Sequence, residues 1–456
     1  MADYRLRCLF PGCDRVYQAD PRFRLQCDRE VEGGHGPALL RAEYEQRRLQ
    51  VRDLPGLFAY ADWLPTGPYY LDAPNGEMGR PACYQSRGLA NRLGLSRLFV
   101  AFSGYWPERR ANLRTRAFKE FEAQATLARY LGTRDDETCP PFIISSAGNT
   151  ANGFNLLAHL LDLPLYLVVP ASGLDNLMLP FPTAPFTIVV RGDYTDAIQL
   201  ADRVSQACGL MREGGARNVA RRAGLGSVFL HAVTHPTEGS GQLFDHYVQA
   251  VGSGTGAIGA WEAAQLLRRD GRFGDRVTRI HIAQNAPFTP MVDAWKVGQR
   301  SLPAASEKET WDRIAAVTAA VLTNRQPPYS IAGGTYDVLS ASGGYAWGVD
   351  NARVFQAARM FRETEGVDIG PAAAVAVDAL RQAVEQGAVR SDESVLLHVT
   401  GGGREIQHAD GEVFTVAPTV IVDPGDLDSV LKAIKTPAAI QRPFPGLKSY
   451  TSEVPA

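Results

Sequence analysis

The chain has no apolar run of transmembrane length, so nothing in it reads as a membrane span. Its first residues, Met1-Ala2-Asp3-Tyr4-Arg5, are not those of a secretory leader. Neither sign of charge is in excess: the formal net charge is -2 over 456 residues. No basic block occurs, which removes the electrostatic case for nucleic acid or an anionic membrane surface. Cysteine is scarce, with six in the whole chain. Without secretory marks, six thiols imply a reducing cytoplasm rather than a disulfide framework. Repeats and low-complexity segments are missing too. What remains is an ordinary globular composition, long enough for two or three domains around substantial cores.

Three cysteines cluster near the start. Cys8-x4-Cys13 followed by Cys27 makes three quarters of a zinc ribbon, but Cys27 runs into Asp28-Arg29-Glu30. His35 could supply a fourth ligand, at a loose spacing. Zinc wants four closed ligands in a structural site. The expectation is therefore a decayed ribbon with small buried thiols and no metal.

Beyond a small element of about 45 residues, and a loop at Pro74-Asn75-Gly76, strand and helix patterns alternate. Strands are expected at 98–102, 142–145, 165–169, 187–190, 246–250, 279–283 and 395–399. Helices are expected at 118–131, 152–161, 194–208, 257–267 and 372–386. Such alternation builds parallel sheets with right-handed crossovers, an α/β protein.

Val251-Gly252-Ser253-Gly254-Thr255-Gly256 is the most informative string. Apolar strand, glycine loop and helix start follow one another, which aims several backbone N–H groups at one point. The glycines let an anion approach closely. No Lys-Ser/Thr follows, so this is not a P-loop. Gly254 to Gly259 fits G-x-G-x-x-G, yet the next strand ends in Gln284-Asn285, with no acid for a ribose. A phosphorylated cofactor other than a dinucleotide fits better.

Three further segments carry chemistry. Phe118-Lys119-Glu120 opens a helix. Ser145-Ser146-Ala147-Gly148-Asn149-Thr150 ends a strand and opens another, where exposed N–H groups can grip a carboxylate. Thr400 stands before Gly401-Gly402-Gly403 at the carboxyl end of a strand. In open α/β sheets, ligands bind at those ends. Taken singly, each is also an ordinary solvated lysine, capped helix or strand terminus.

In this order the four segments resemble the fold type II pyridoxal-phosphate enzymes, the threonine synthase and tryptophan synthase β-like group. Within it the resemblance is to the cysteate synthase family. It rests on Ala61 to Pro65, Gly104 to Glu108, Ser146 to Thr150, Glu213 to Arg222, Ala250 to Gly256, Ile258 to Ala264, Asp270 to Gly274 and Thr400 to Gly403. The resemblance implies two parallel-sheet α/β domains with the cofactor between them, and a homo-oligomer. A large domain would comprise 46–120 and 225–456, a smaller mobile one 121–224, and a vestigial ribbon 1–45.

It also implies roles. Lys119 would form the Schiff base with pyridoxal 5'-phosphate and move the Cα proton. Asn149 would bind the phenolic oxygen, and Gly252, Ser253, Gly254, Thr255 and Gly256 the phosphate. Thr400 would face the pyridine nitrogen, leaving it largely unprotonated, which suits β-replacement. Ser146, Ala147, Gly148 and Thr150 would hold the substrate carboxylate. The reaction implied joins O-phospho-L-serine and sulfite through an aminoacrylate, giving L-cysteate and phosphate. Its two dianions call for cations; Arg114, Arg116, Arg217 and Arg221 are the candidates. One departure is Arg116-Ala117 before Phe118, where relatives carry Ser. A threonine synthase-like reaction, or another amino-acid substrate or nucleophile, therefore stays open.

Overall fold

The computed structural model describes residues 4–18, 23–73, 78–132, 138–146, 148–441, 444 and 446–450. Ala147 and the Pro74-Asn75-Gly76 loop lie outside the described residues. The chain begins with a three-stranded antiparallel sheet of β1 (Tyr4–Cys8), β2 (Val16–Gln18) and β3 (Leu40–Tyr44), in the order β2-β1-β3. Tyr4, Leu6 and Cys8 are buried while Arg5 is exposed, the period-two signature of a strand with one face inside.

There follow β4 (Cys83–Gln85), β5 (Arg97–Phe102), α1 (Lys119–Gly132), β6 (Phe142–Ser145) and α2 (Asn149–Leu160). Next come β7 (Leu165–Pro170), β8 (Phe186–Val190), α3 (Tyr194–Cys208), α4 (Val219–Thr234) and β9 (His246–Ala250). The chain continues through α5 (Thr255–Asp270), β10 (Arg279–Asn285), β11 (Tyr345–Val349), α6 (Asn351–Glu365) and α7 (Pro371–Glu385). It ends with β12 (Ser394–Val399), β13 (Val420–Val422) and α8 (Leu427–Ile434).

Two sheets organise these elements. The larger runs β11-β10-β9-β12-β5-β4 and is parallel except for its β4 edge. The smaller runs β6-β7-β8-β13 and is wholly parallel. Its fourth strand comes from 420–422, outside the 121–224 stretch. Every residue of β7 and β12 is buried, as expected where helices cover both faces of a parallel sheet. The fold is thus α/β, with two mainly parallel sheets as expected.

Helices α1, α4 and α5 pack side by side. A Cβ on Gly259 of α5 would lie 2.2 Å from the Arg222 carbonyl oxygen, so only glycine permits that approach. α1 is buried at every residue from Glu120 to Leu131, including Glu120 and Glu122. Buried carboxylates on such a helix need partners, and these define the site below. No helix among the described residues is long and apolar enough to cross a membrane.

Candidate active site

Three segments converge where β12 ends. Thr400 follows that strand and is buried. Its carbonyl accepts the Phe118 N–H at 3.2 Å, and the Gly402 N–H donates to the Arg116 carbonyl at 3.2 Å. Ala117 forms an antiparallel bridge with Gly401. These pairings stitch 116–118 onto 400–402, so α1 starts with Lys119 beside the sheet's carboxyl edge. The glycines after Thr400 are sterically required. Gly403 has φ +78, and a Cβ there would lie 1.7 Å from the Tyr105 carbonyl oxygen.

Lys119 Nζ donates to Glu122 Oε2 at 2.8 Å, one turn along α1. The other Glu122 oxygen receives the Thr150 hydroxyl at 2.6 Å. Arg221 Nε lies 3.0 Å from Glu122 Oε2, and Arg221 is ion-paired to Glu213 as well. Burial alone would raise the Glu122 carboxyl, but Arg221 and Lys119 hold it below the usual carboxylate range. Burial pushes the Lys119 amine down from its ordinary value; Glu122 opposes that shift and Arg221 reinforces it. An amine that gives up its proton readily is the form that adds to a carbonyl.

α2 abuts this lysine. A Cβ on Gly153 would lie 2.7 Å from the Lys119 carbonyl oxygen. That places the first turn of α2, with Asn149 and Thr150, next to the first turn of α1. Gly148 caps α2, and Ser146 links it to β6. The earliest N–H groups of a helix have no intrahelical acceptor, so this turn presents donors.

The glycine loop closes the opposite side. Gly254 caps the 16-residue α5 with φ +79, and a Cβ there would meet Thr335 Oγ1 at 2.4 Å. A Cβ on Gly256 would come within 3.0 Å of the Phe118 ring, so loop and lysine segment touch. Ser253 Oγ and Thr255 Oγ1 are 2.7 Å apart. The loop is a cradle for an anion at a helix N-terminus.

Of the arginines, Arg116 lies at the stitched segment. Its backbone is left-handed at φ 58, and its buried Nη1 has no hydrogen-bond partner among the described residues. Burial, then the nearby Arg404 guanidinium, lowers its pKa. Arg217 is engaged elsewhere. Its guanidinium grips Glu30 at 2.7 and 3.1 Å and the Ala38 carbonyl at 3.3 Å, on the N-terminal element. Arg114 gives its carbonyl to Gln407 Nε2 at 2.8 Å.

Five residues were not anticipated as part of the site. Glu122 sits three positions after Lys119, a helical spacing that the sequence does display. Arg404, just past Gly403, has no such signal. Thr335 packs on Gly254. Val321 touches both loops: its Cγ1 would lie 3.8 Å from a Cβ on Gly148, and its carbonyl 3.2 Å from one on Gly252. Asn285, at the end of β10, anchors that segment by accepting the Ala319 N–H at 2.8 Å.

A family profile described as "Pyridoxal-phosphate dependent enzyme" matches residues 95–401. Cysteate synthase of Methanoculleus marisnigri is 44% identical over 426 residues, covering 93% of this chain and 94% of its own. Cysteate synthase of Methanosarcina mazei is 40% identical over 432 residues, covering 94% and 98%. Among solved structures, maize serine racemase superposes with TM-score 0.53 at 17% identity, over 72% of this chain and 90% of its own. Threonine deaminase isoform 2 of Solanum lycopersicum gives 0.51 at 15% identity, over 80% and 96%. At those identities the structural likeness concerns the fold alone.

Proposed function

Since this chain belongs to the cysteate synthase family of pyridoxal-phosphate-dependent enzymes, we propose that it converts O-phospho-L-serine and sulfite into L-cysteate and phosphate. Its cofactor is pyridoxal 5'-phosphate. The residues present fit that group. Gly252 to Gly256 form a cradle that side chains would fill, and Lys119 supplies an amine of lowered pKa beside it. Asn149 and Thr400 are its proposed contacts at the phenolic oxygen and the ring nitrogen. When bound, the cofactor supplies the electron sink for a carbanion at the substrate Cα.

The protein's part is binding, orientation and proton transfer. Lys119 would hold the cofactor through its amine, and Nζ is the group placed to take the Cα proton of the substrate. Glu122, held by Arg221 and Thr150, keeps that amine in place between the two tasks. The first turn of α2, from Ser146 to Thr150, receives the substrate carboxylate. Arg116, with Arg404 nearby, meets the departing phosphate and the arriving sulfite. A phosphate leaving the β-carbon takes the bonding electrons, and sulfite restores them in a new C–S bond. The stretch 121–224 is proposed to close over the site and exclude water. Liganded and ligand-free crystal structures that superpose without rotation of this stretch would rule that out.

The observation that carries the reading is the unpartnered, buried Nη1 of Arg116 three residues before Lys119. A half-buried guanidinium with one nitrogen unpaired and no hydrogen-bonded carboxylate, though Asp368 lies near enough to raise its pKa, suits a site that handles dianions in succession. Two measurements test it. Borohydride reduction and peptide mapping should mark Lys119, and mass spectrometry should find cysteate from phosphoserine and sulfite. A label on another lysine sinks the site; phosphate release without cysteate sinks only the nucleophile.

A further inference from the structure

The geometry points to a structural zinc ion held by Cys8, Cys13, Cys27 and His35. The donor atoms of these four residues all lie within 4.8 Å of one another. Cys8 Sγ is 3.6 Å from His35 Nε2, His35 Nε2 is 3.4 Å from Cys27 Sγ, and Cys13 Sγ is 3.9 Å from Cys27 Sγ. A tetrahedral ion with Zn–S near 2.3 Å and Zn–N near 2.0 Å spaces its ligands roughly 3.5–3.8 Å apart. Three of the six donor–donor distances, 3.4, 3.6 and 3.9 Å, are close to that edge length, and none exceeds 4.8 Å. It contains four protein ligands and so leaves no open position, which makes the site structural rather than catalytic.

The surroundings are those of metal-bound thiolates. Tyr17 accepts the Asp28 N–H at 2.9 Å and directs its own hydroxyl proton at Cys27 Sγ, 3.3 Å away. A hydroxyl proton aimed at a ligand sulfur is the kind of supporting contact found around metal-bound thiolates. His35 Nδ1 donates to the Gly36 carbonyl at 2.7 Å, which fixes the tautomer with Nε2 free for a metal. The Phe10 ring stacks on the imidazole at 4.5 Å and holds its plane.

A second group, His231, His235 and Glu238, contrasts with this one. There His231 Nε2 meets Glu238 at 2.8 Å, Tyr60 meets His231 Nδ1 at 2.8 Å, and Arg80 pairs with Glu238 at 2.8 Å. Those groups satisfy one another and need no ion. The cysteine cluster instead brings three sulfurs and one imidazole nitrogen to a single point.

The ion would serve the site at a distance. It would fix the small module whose Glu30 and Ala38 hold Arg217 and whose Leu40 carbonyl accepts from the fully buried Arg222. Between these two arginines stands Arg221, which reaches Glu122. The module also receives the Ala332 carbonyl on the Leu39 N–H at 2.9 Å, three residues before Thr335 meets the glycine loop.

Metal analysis of the dialysed holoenzyme should find about one zinc per chain, as in a closed structural site. Cobalt(II) exchanged into the same site should show the intense visible bands of a tetrahedral thiolate complex. Cys13→Ser with His35→Ala should lose the metal and lower the melting temperature, whereas Cys208→Ser, on α3, should change neither. Zinc retained by the double variant would overturn the assignment. So would wild-type protein that, grown with zinc, holds none and takes up no cobalt when its thiols are reduced. If the double variant does not fold, the wild-type metal content and cobalt spectrum decide alone.

Discussion

Phe118 donates its backbone N–H to the carbonyl of Thr400 across 3.2 Å, joining positions 282 residues apart in sequence. This bond and its neighbours hold the start of α1 against the end of β12. Lys119 and Thr400 therefore share one wall of the site through rigid backbone rather than through flexible side chains. A site built on sheet and helix ends keeps its geometry better than one built on loops.

The lysine's proton affinity should follow its carboxylate and guanidinium neighbours. Glu122→Gln removes the group that raises the Lys119 pKa, so the apparent pKa for cofactor capture should fall. Burial is the main influence lowering it; Arg221→Met removes the second, and the same pKa should rise. The pH dependence of cofactor incorporation reads both. Glu122→Gln should also cost about 3 kcal/mol of stability, the low end for a broken buried pair, since Glu213 still holds Arg221. Opposite or absent shifts would remove this network from control of Lys119.

Glu120 predicts a separate pH effect on stability. Burial, opposed by Thr115 and Arg114, raises its carboxyl to about 7 from 4.5. The folded state therefore holds a proton that the unfolded state releases above about pH 4.5. Its contribution is fully present below that pH and is lost as pH rises to about 7. The loss is on the order of a few kcal/mol at most. Denaturant titrations from pH 4 to 8 should show this decline in wild type and a flatter curve for Glu120→Gln. Parallel curves would contradict it.

Thr400→Asp should change the reaction more than the fold. A carboxylate facing the ring nitrogen favours its protonation, which alters the cofactor's absorption. Turnover in β-replacement should drop at least about tenfold, the effect of roughly 1.4 kcal/mol. An unaltered spectrum with unaltered turnover would take Thr400 out of the site.

Arg116 and Arg217 should respond differently. Arg116→Ala is expected to lose about 2–5 kcal/mol of transition-state stabilisation, on the order of a thirty- to several-thousand-fold fall in kcat/KM for sulfite. Cofactor binding should persist. Arg217→Ala breaks the grip on Glu30 and should instead lower stability by about 1–3 kcal/mol, with sulfite kinetics nearly intact. Equal kinetic defects in the two variants would mean that Arg217 reaches the site in solution.

Much of this was legible in the sequence because it is encoded locally. The apolar runs Leu165–Val169 in β7 and Val395–Leu397 in β12 announce strands covered on both faces. The glycine loop between β9 and α5 announces an anion cradle, and the order Lys119, Asn149, Gly252–Gly256, Thr400 carries the family resemblance. Tertiary structure alone decided which partner each long or charged side chain takes. Arg217 and Glu30 are 187 positions apart, and no spacing rule relates them. β13 joins the smaller sheet from beyond 419 by the same kind of long-range pairing. His35 stands at a loose spacing after Cys27, and the helix at Asp28–Val31 with the turn behind it brings its imidazole round to the thiols. Periodicity and turn chemistry act over a few residues and can be read along the chain. Ion pairs and ligand sets depend on distances across the packed core, which exist only after folding.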